Sequence, residues 1–320
     1  MEIALEDGER IDSLHVGDFR IVQNRNFFCF GMDAVLLSDF AFSRICFKAK
    51  NLKILDLCSG NAIVPILLCG KLKEFDSEKL DFENSFENLD SRKQLSRNHF
   101  EECDVNFSAL EVQEKIADMA RRTVLLNNLQ DKISVKNGDL CKIENLYDSD
   151  SFDAVTCNPP YILPSNGRQS ANRAKMIARQ EICCSINDVL WAAFYVLKDG
   201  GSFFMVHRPE RFDEIVSSLK FSGFRIKNFR LVKPFENENP KMVLFHCVAE
   251  KSSGAECQKN QNLKDEKNDE NVRENENIMK NGKIENLKKL GLPPLVIYKE
   301  KGVYTLETEK IYGRKANENF

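Results

Sequence analysis

Residues 53–72 read KILDLCSGNAIVPILLCGKL, and this stretch decides the fold class. Lys53–Leu57 is a compact apolar run, typical of a buried strand. It ends in the polar turn Cys58-Ser59-Gly60-Asn61, and a longer apolar segment follows the turn. A strand, a tight turn and a helix in this order form the beginning of a β-α-β unit.

The same alternation continues along the chain. Further strands are predicted at Phe107–Glu111, Ile133–Val135, Phe152–Cys157 and Ser202–His207, with helical stretches between them. An antiparallel pair is predicted at Arg225–Val232 and Lys241–Ala249. Right-handed crossovers then give a Rossmann-like α/β fold, with a mainly parallel seven-stranded sheet, an antiparallel edge hairpin and helices on both faces.

Composition divides the chain into four parts around this core. The core at 51–250 carries a polar insertion at 71–106, and a second polar segment follows it. The second segment has too few apolar residues to offset its ordering entropy, so we predict that it is disordered or of low complexity. The other parts are 1–50, with a hairpin at Arg10–Val22 and a helix from Asp33 to about Phe42; 251–289, the second polar segment; and 290–320, with a hairpin at Leu295–Tyr312.

Several classes of protein are disfavoured by composition. The apolar runs Ala62–Cys69 and Val189–Leu197 are far shorter than the roughly 18 residues that span a bilayer, and the acidic amino terminus has no signal-peptide pattern. The 11 cysteines are scattered without a C-x-x-C pair, and the 4 histidines complete no ligand set. We therefore expect a cytoplasmic protein without a membrane span or a metal, and we favour a monomer.

Polar residues follow the predicted parallel strands, where open α/β sheets bind their ligands. Asp56, Ser59 and Gly60 follow the first strand, and the glycine lets backbone N–H groups approach a ligand. Glu111, after the second strand, is suited to both hydroxyls of a ribose, and Asp139, after the third, to an adenine amino group. Each acid alone is more often an ordinary loop residue. Together they predict a pocket for an adenosine with a charged tail.

The fourth strand is followed by the most specific signal, Asn158-Pro159-Pro160-Tyr161. Two consecutive prolines make the backbone rigid and leave its carbonyls free as acceptors. The Asn158 Oδ1 and the Pro159 carbonyl can each accept one proton of an NH2 group, which orients the nitrogen lone pair and enriches its electron density. The Tyr161 ring offers a flat face on which a planar substrate stacks. This tetrapeptide therefore predicts a site that positions an amine.

These segments resemble the class I methyltransferases of the amino-nitrogen type. More narrowly, the chain resembles the bacterial tRNA adenine-N6 methyltransferases that act on position 37 of valine tRNA. The broad resemblance rests on DLCSGNAIVPILL, ALEVQEKIADMARRTVLLNN, NGDL, FDAVTCNPPYI and LKDGGSFFMVHRPERF, and the narrow one on Glu9–Asp12 (ERID), Gln23-Asn24, Phe30–Leu37 (FGMDAVLL), Ala117–Arg122 (ADMARR) and Ala178–Glu181 (ARQE).

The resemblance implies a class I methyltransferase fold, S-adenosylmethionine as cofactor and tRNA as substrate. It places Asp56 and Gly60 at the methionine end of the cofactor, with the segment from Phe30 to Asp33 closing over that end. Where many relatives have a further glycine, this chain has Ala62. The implied catalytic residues are Asn158, Pro159, Pro160 and Tyr161, and the implied cofactor-binding residues are Phe30, Asp33, Asp56, Ser59, Gly60, Glu111, Asp139 and Asn158.

A basic run follows the tetrapeptide. Between Tyr161 and Gln180 there is no acid, and the run suits the phosphates that flank a base inserted into the pocket. A second basic stretch, from Lys220 to Lys233, is the alternative. The predicted RNA-binding residues are Arg168, Arg173, Lys175 and Arg179.

The tetrapeptide defines the reaction better than the partner. A glutamine-N5 methyltransferase of peptide release factors shares the motifs but carries a helical amino-terminal domain, whereas about 50 residues precede the first parallel strand here. A guanine-N2 methyltransferase of ribosomal RNA also stays open. The alternative outside enzymes is an inactive cofactor-binding RNA module.

Overall fold

A mixed eight-stranded sheet lies at the centre of the protein. The computed structural model describes residues 3–14, 16–27, 29–47, 51–85, 104–161, 184–251 and 289–313. The strands are β1 (Glu9–Ser13), β2 (Arg20–Asn24), β3 (Leu52–Leu57), β4 (Val105–Glu111), β5 (Ile133–Asn137), β6 (Phe152–Cys157), β7 (Leu197–His207), β8 (Phe224–Lys233), β9 (Met242–Ala249), β10 (Gly291–Val296), β11 (Tyr298–Glu300) and β12 (Val303–Tyr304). The α-helices are α1 (Met32–Phe42), α2 (Ile63–Ser85), α3 (Glu114–Leu126), α4 (Ile186–Val196), α5 (Phe212–Phe221) and α6 (Leu306–Ile311).

The order of strands in the sheet is β10-β8-β9-β7-β6-β3-β4-β5. Strands β3 to β7 are parallel, and β9 is antiparallel to both β7 and β8. The carboxyl ends of β3, β4, β5, β6 and β7 therefore share one edge of the sheet. This arrangement brings the polar strand ends identified in the sequence close together.

The carboxyl-terminal part differs from the predicted hairpin at Leu295–Tyr312. Its first segment forms an eighth strand, β10, which pairs in parallel with β8 and buries Leu295. The sheet therefore has one strand more than the seven that were predicted. Pro293 and Pro294 lie inside β10, and proline lacks an N–H for the ladder, which confines this strand to the edge of the sheet. A smaller hairpin, β11–β12, follows, and Thr305 then caps α6 by accepting a hydrogen bond from the Thr308 N–H.

The predicted insertion at 71–106 begins as ordinary structure. Helix α2 continues to Ser85, and Lys71 Nζ lies 2.9 Å from Asp39 Oδ1. Lys73 Nζ donates to the Gly17 carbonyl, while the Gly17 N–H donates to Glu74 Oε1. The first residues of this segment therefore hold the amino-terminal hairpin. Most of the remaining polar sequence, 86–103 and 252–288, lies outside the described residues.

The hairpin β1–β2 is fastened to α3 by a nearly buried ion pair. Both carboxylate oxygens of Glu9 accept from the Arg122 guanidinium at 2.6 Å, and the Glu9 side chain is only 2% exposed. Arg122 holds the pKa of Glu9 below its usual value. The Val22 N–H also donates to Thr123 Oγ1 at 3.1 Å. Glu9 and Arg122 belong to the ERID and ADMARR motifs, so two motifs far apart in sequence are partners in space.

We expect Arg122→Ala to lower the free energy of unfolding by about 2–3 kcal/mol, because it leaves the Glu9 carboxylate buried and unpaired. Denaturant unfolding measures this change. Arg225→Ala is the matched control, since the Arg225–Glu250 pair is exposed at both ends and its loss should cost less than about 1 kcal/mol. Equal losses in the two variants would contradict a special role for the Glu9–Arg122 pair.

Candidate cofactor and amine site

A cleft of about 960 Å³, including the solvent at its mouth, opens at the carboxyl ends of β3, β4, β5 and β6. Strand-end residues and a segment before α1 line it together, as expected for a ligand site of an open α/β sheet. The lining includes Phe30, Asp56, Ser59, Gly60, Glu111, Asp139, Asn158 and Pro160, all of them predicted from the sequence.

Glu111 is nearly buried in the wall of the cleft. Its Oε2 accepts from the Gly60 N–H at 3.0 Å and its Oε1 from the Gln113 N–H at 2.9 Å. Burial raises the pKa of this carboxyl, and the backbone donors partly oppose the rise. Each carboxylate oxygen can accept a second hydrogen bond, so both can still take a hydroxyl of a ligand.

Asp56 lies near the carboxyl end of β3, and it is almost inaccessible to solvent. Its two oxygens accept from the Ser59 and Thr156 hydroxyls, each at 2.6 Å. Burial raises the pKa of Asp56 to about 7, although both hydroxyls oppose the rise. Asp56 thus ties the loop after β3 to the neighbouring strand β6.

The pKa of Asp56 predicts a pH dependence of stability. Because its value in the folded protein is about 7 and its ordinary value is 3.8, the folded state retains a proton that the unfolded state loses. This carboxyl therefore lowers stability as pH rises from about 4 to about 7, by up to about 1.4 kcal/mol per pH unit. Asp56→Asn should lose less stability than the parent over this range, as thermal melting in a pH series would measure.

His207 and His246, whose pKa values burial lowers to about 4, act in the opposite direction below pH 6.5. Both histidines are present in the parent and in Asp56→Asn, so their contributions to the pH dependence of stability cancel when the two proteins are compared. Parallel stability curves for the parent and Asp56→Asn would show that Asp56 does not titrate in this window.

In the loop after β3, every second residue has a backbone conformation in the left-handed region of φ and ψ. The φ angles are 55° at Cys58, 57° at Gly60 and 63° at Ala62. A Cβ added at Gly60 would meet no atom within 4 Å, and Gly60 lines the cleft, so a glycine here keeps space open for a ligand. Ala62 is fully buried and does not line the cleft. Its methyl group therefore does not narrow the pocket, although non-glycine residues at positive φ are strained.

The segment before α1 brings Phe30 to the cleft. The Phe30 N–H donates to Gln23 Oε1 at 3.2 Å, and Gln23 Nε2 donates to Asp12. The hairpin β1–β2 therefore positions Phe30. Asp33, predicted at the cofactor, does not line the cleft; its Oδ2 lies 3.0 Å from the Tyr161 hydroxyl.

The tetrapeptide contributes two of its four residues to the lining of the cleft, and Tyr161 is not one of them. Asn158 and Pro160 line it, and Pro159 is buried. The Tyr161 hydroxyl is hydrogen-bonded to Asn158 Oδ1 and lies 3.0 Å from Asp33 Oδ2, and its single proton can be donated to one of these acceptors at a time. Burial and the Asp33 charge raise the pKa of Tyr161, which keeps the phenol protonated. The hydroxyl thus uses one of the two lone pairs of the acceptor that the sequence predicts for an amine.

Two residues of this region, His207 and Arg208, were not predicted from the sequence. His207 ends β7 and is fully buried; its Nδ1 accepts from the Arg208 N–H at 2.8 Å, and its ring meets the Tyr161 ring edge-on, with 5.2 Å between centroids. The His207 Nε2 has no hydrogen-bond partner among the described residues. Arg208 lies over the same ring, its guanidinium 5.4 Å from the centroid. The strand-end rule, applied also to the fifth parallel strand, would have found both.

The remaining predicted residues have different outcomes. Asp139 follows β5 and lines the cleft, and its Oδ1 accepts from the Cys141 N–H at 2.9 Å. The predicted RNA-binding residues, Arg168, Arg173, Lys175 and Arg179, lie outside the described residues.

In the described part of the chain, no three His, Cys, Asp or Glu side chains are grouped to hold a metal. No helix within that part is long and apolar enough to span a bilayer.

Comparison with known proteins identifies the fold. No protein-family model matches the chain. A tRNA1(Val) (adenine(37)-N6)-methyltransferase from Trichodesmium erythraeum is 23% identical over 147 residues, which are 46% of this chain and 60% of that protein. A crystal structure of a predicted O-methyltransferase from Agrobacterium tumefaciens is 15% identical to this chain and has a TM-score of 0.50. The matched region covers 89% of this chain and 98% of the Agrobacterium tumefaciens chain. With the sheet order, this likeness confirms the predicted Rossmann-like fold of class I methyltransferases.

Proposed function

We propose that this protein transfers a methyl group from S-adenosylmethionine to the exocyclic N6 amine of an adenine in tRNA, at position 37 of valine tRNA. The observation that carries the proposal is the convergence of Glu111, Gly60 and Asn158 on one cleft at the carboxyl edge of a methyltransferase fold. The Trichodesmium erythraeum relative supports the choice of reaction and substrate.

The residues of the cleft fit the proposed cofactor. Glu111 offers two carboxylate oxygens, as a ribose diol requires, and Asp139 lies one strand further along, suited to an adenine amino group. The open space at Gly60 admits a ligand close to the backbone. When bound, S-adenosylmethionine would supply an activated methyl group in the cleft that Asn158 also lines.

Asn158 and Pro159 would then hold the target amine. Each accepts one N–H proton, Asn158 through its Oδ1 and Pro159 through its carbonyl, so that the nitrogen lone pair faces the methyl donor. The Tyr161 hydroxyl is bonded to the same Asn158 Oδ1, whose second lone pair can accept from the amine. Asn158 is not a base, and the methylated nitrogen, cationic after transfer, loses its proton to water. Catalysis consists of positioning and electrostatic stabilisation.

For the substrate, Arg168, Arg173, Lys175 and Arg179 remain the proposed phosphate contacts, because they follow Tyr161 directly in sequence. A neutral glutamine side chain would need no such run.

The test is methyl transfer from labelled S-adenosylmethionine into unmodified total tRNA, ribosomal RNA and release factor in parallel, followed by nucleoside analysis. We expect N6-methyladenosine in tRNA. N2-methylguanosine in ribosomal RNA, or label in protein, would replace the proposal with the corresponding alternative. Cofactor binding without any transfer would favour the inactive module.

A further inference from the structure

The side chain that covers the Tyr161 ring is an arginine at the end of the neighbouring strand. Strands β6 and β7 are parallel, with Cys157 opposite Met205. The tetrapeptide and the pair His207-Arg208 therefore leave the same edge of the sheet side by side. Arg208 is exposed, and its guanidinium carbon lies 5.4 Å from the Tyr161 ring centroid.

Arg208 is weakly held by the protein. Within the described residues its guanidinium makes one hydrogen bond, from Nη1 to the Lys241 carbonyl at 3.4 Å, which is longer than a normal bond. No carboxylate of the described residues pairs with it, although Arg211, three residues further on, is paired with Glu214. The positive charge of Arg208 is thus available beside the Tyr161 ring.

A base that enters the site would displace this cation. Stacking of a nucleobase on an aromatic ring is stronger than an exposed cation–π contact, so the base should take the ring face from the guanidinium. The backbone phosphates of a splayed nucleotide stay outside the pocket, beside its rim. Arg208 is exposed beside the Tyr161 ring, and a guanidinium binds phosphate with paired N–H donors.

We propose that Arg208 moves from the Tyr161 ring to a backbone phosphate next to the target nucleotide, which makes it an RNA-binding residue of the amine site. This inference rests on the proposed RNA substrate. It adds a phosphate contact directly after β7 that is separate from the basic run after Tyr161. In the absence of RNA, the same side chain shields the ring on which the base stacks.

Binding of an unmodified valine tRNA transcript at several salt concentrations tests the proposal. Arg208→Ala should flatten the slope of log affinity against log salt by about 0.7, the value for one phosphate contact of a single strand. Arg208→Lys keeps the charge and should keep the parent slope. Lys198→Ala, near the amino end of β7 and so at the opposite edge of the sheet from Arg208, is the matched control and should leave the slope unchanged.

The affinity for S-adenosylmethionine should be the same in all four proteins, which also shows that the variants are folded. A parent-like slope in Arg208→Ala would overturn the proposal, as would an Arg208→Lys variant that behaves like Arg208→Ala. The result is distinguishable from failure of the proposed function. If tRNA is methylated but the slope is unaffected by Arg208→Ala, only the phosphate contact fails; if the slope changes without methylation, only the reaction fails.

Discussion

Asn158→Ala is expected to bind S-adenosylmethionine with nearly parental affinity and to lose about 10- to 200-fold in turnover. The lost interaction is a buried hydrogen bond to the reacting amine, which contributes about 1–3 kcal/mol. The cofactor is expected to depend on Glu111 and the loop after β3, which Asn158 does not touch among the contacts described. Single-turnover methylation of tRNA and calorimetric titration of the cofactor measure the two effects separately.

Two further variants make this result specific. Asn158→Asp keeps an acceptor oxygen and should retain more turnover than Asn158→Ala. Tyr161→Phe keeps the ring and frees Asn158 Oδ1 from the phenol, so its turnover should stay close to that of the parent. If Asn158→Ala turns over like the parent, or if Tyr161→Phe is as impaired as Asn158→Ala, the amine is not held in the way proposed.

The parallel core could be predicted because each strand is a short apolar run that ends in a polar turn. Glu111 and Asn158 were found by the same rule, since the carboxyl ends of parallel strands share one edge. β10 was not predicted because the terminal hairpin was expected to begin at Leu295, after the two prolines, whereas an edge strand tolerates them.

Contacts between distant segments could not be predicted. Glu9 and Arg122 are separated by 113 residues, and Asp33 and Tyr161 by 128. Both pairs join residues whose importance the sequence indicates, but only the packing of the amino-terminal segment on the sheet brings them together. The contact of Tyr161 adds to its expected role: the sequence predicts a stacking face, and in the structure its hydroxyl is also bonded to the predicted amine acceptor.

Glu111→Gln is expected to weaken S-adenosylmethionine binding by about 100-fold or more. Hydrogen bonds to a charged acceptor contribute about 1.5–3 kcal/mol each, and the amide keeps one acceptor oxygen without the charge. The stability of the ligand-free protein should change little. The substitution removes the cost of burying a carboxylate but also costs one of the backbone bonds from Gly60 and Gln113, and these effects are of similar size, about 1–3 kcal/mol.

Asp139→Asn is the matched control, because it also removes an acid from the lining of the cleft. It should weaken binding by only about tenfold, since it alters one bond to the adenine instead of two to the ribose.

The pH dependence of cofactor affinity separates Glu111 from Asp139 further. Glu111 must be ionised to accept from both hydroxyls, and burial raises its pKa, so the parent should lose cofactor affinity as pH falls toward the pKa of this carboxyl. Glu111→Gln should lose this dependence and Asp139→Asn should keep it. Parental affinity in Glu111→Gln would remove Glu111 from the ribose site.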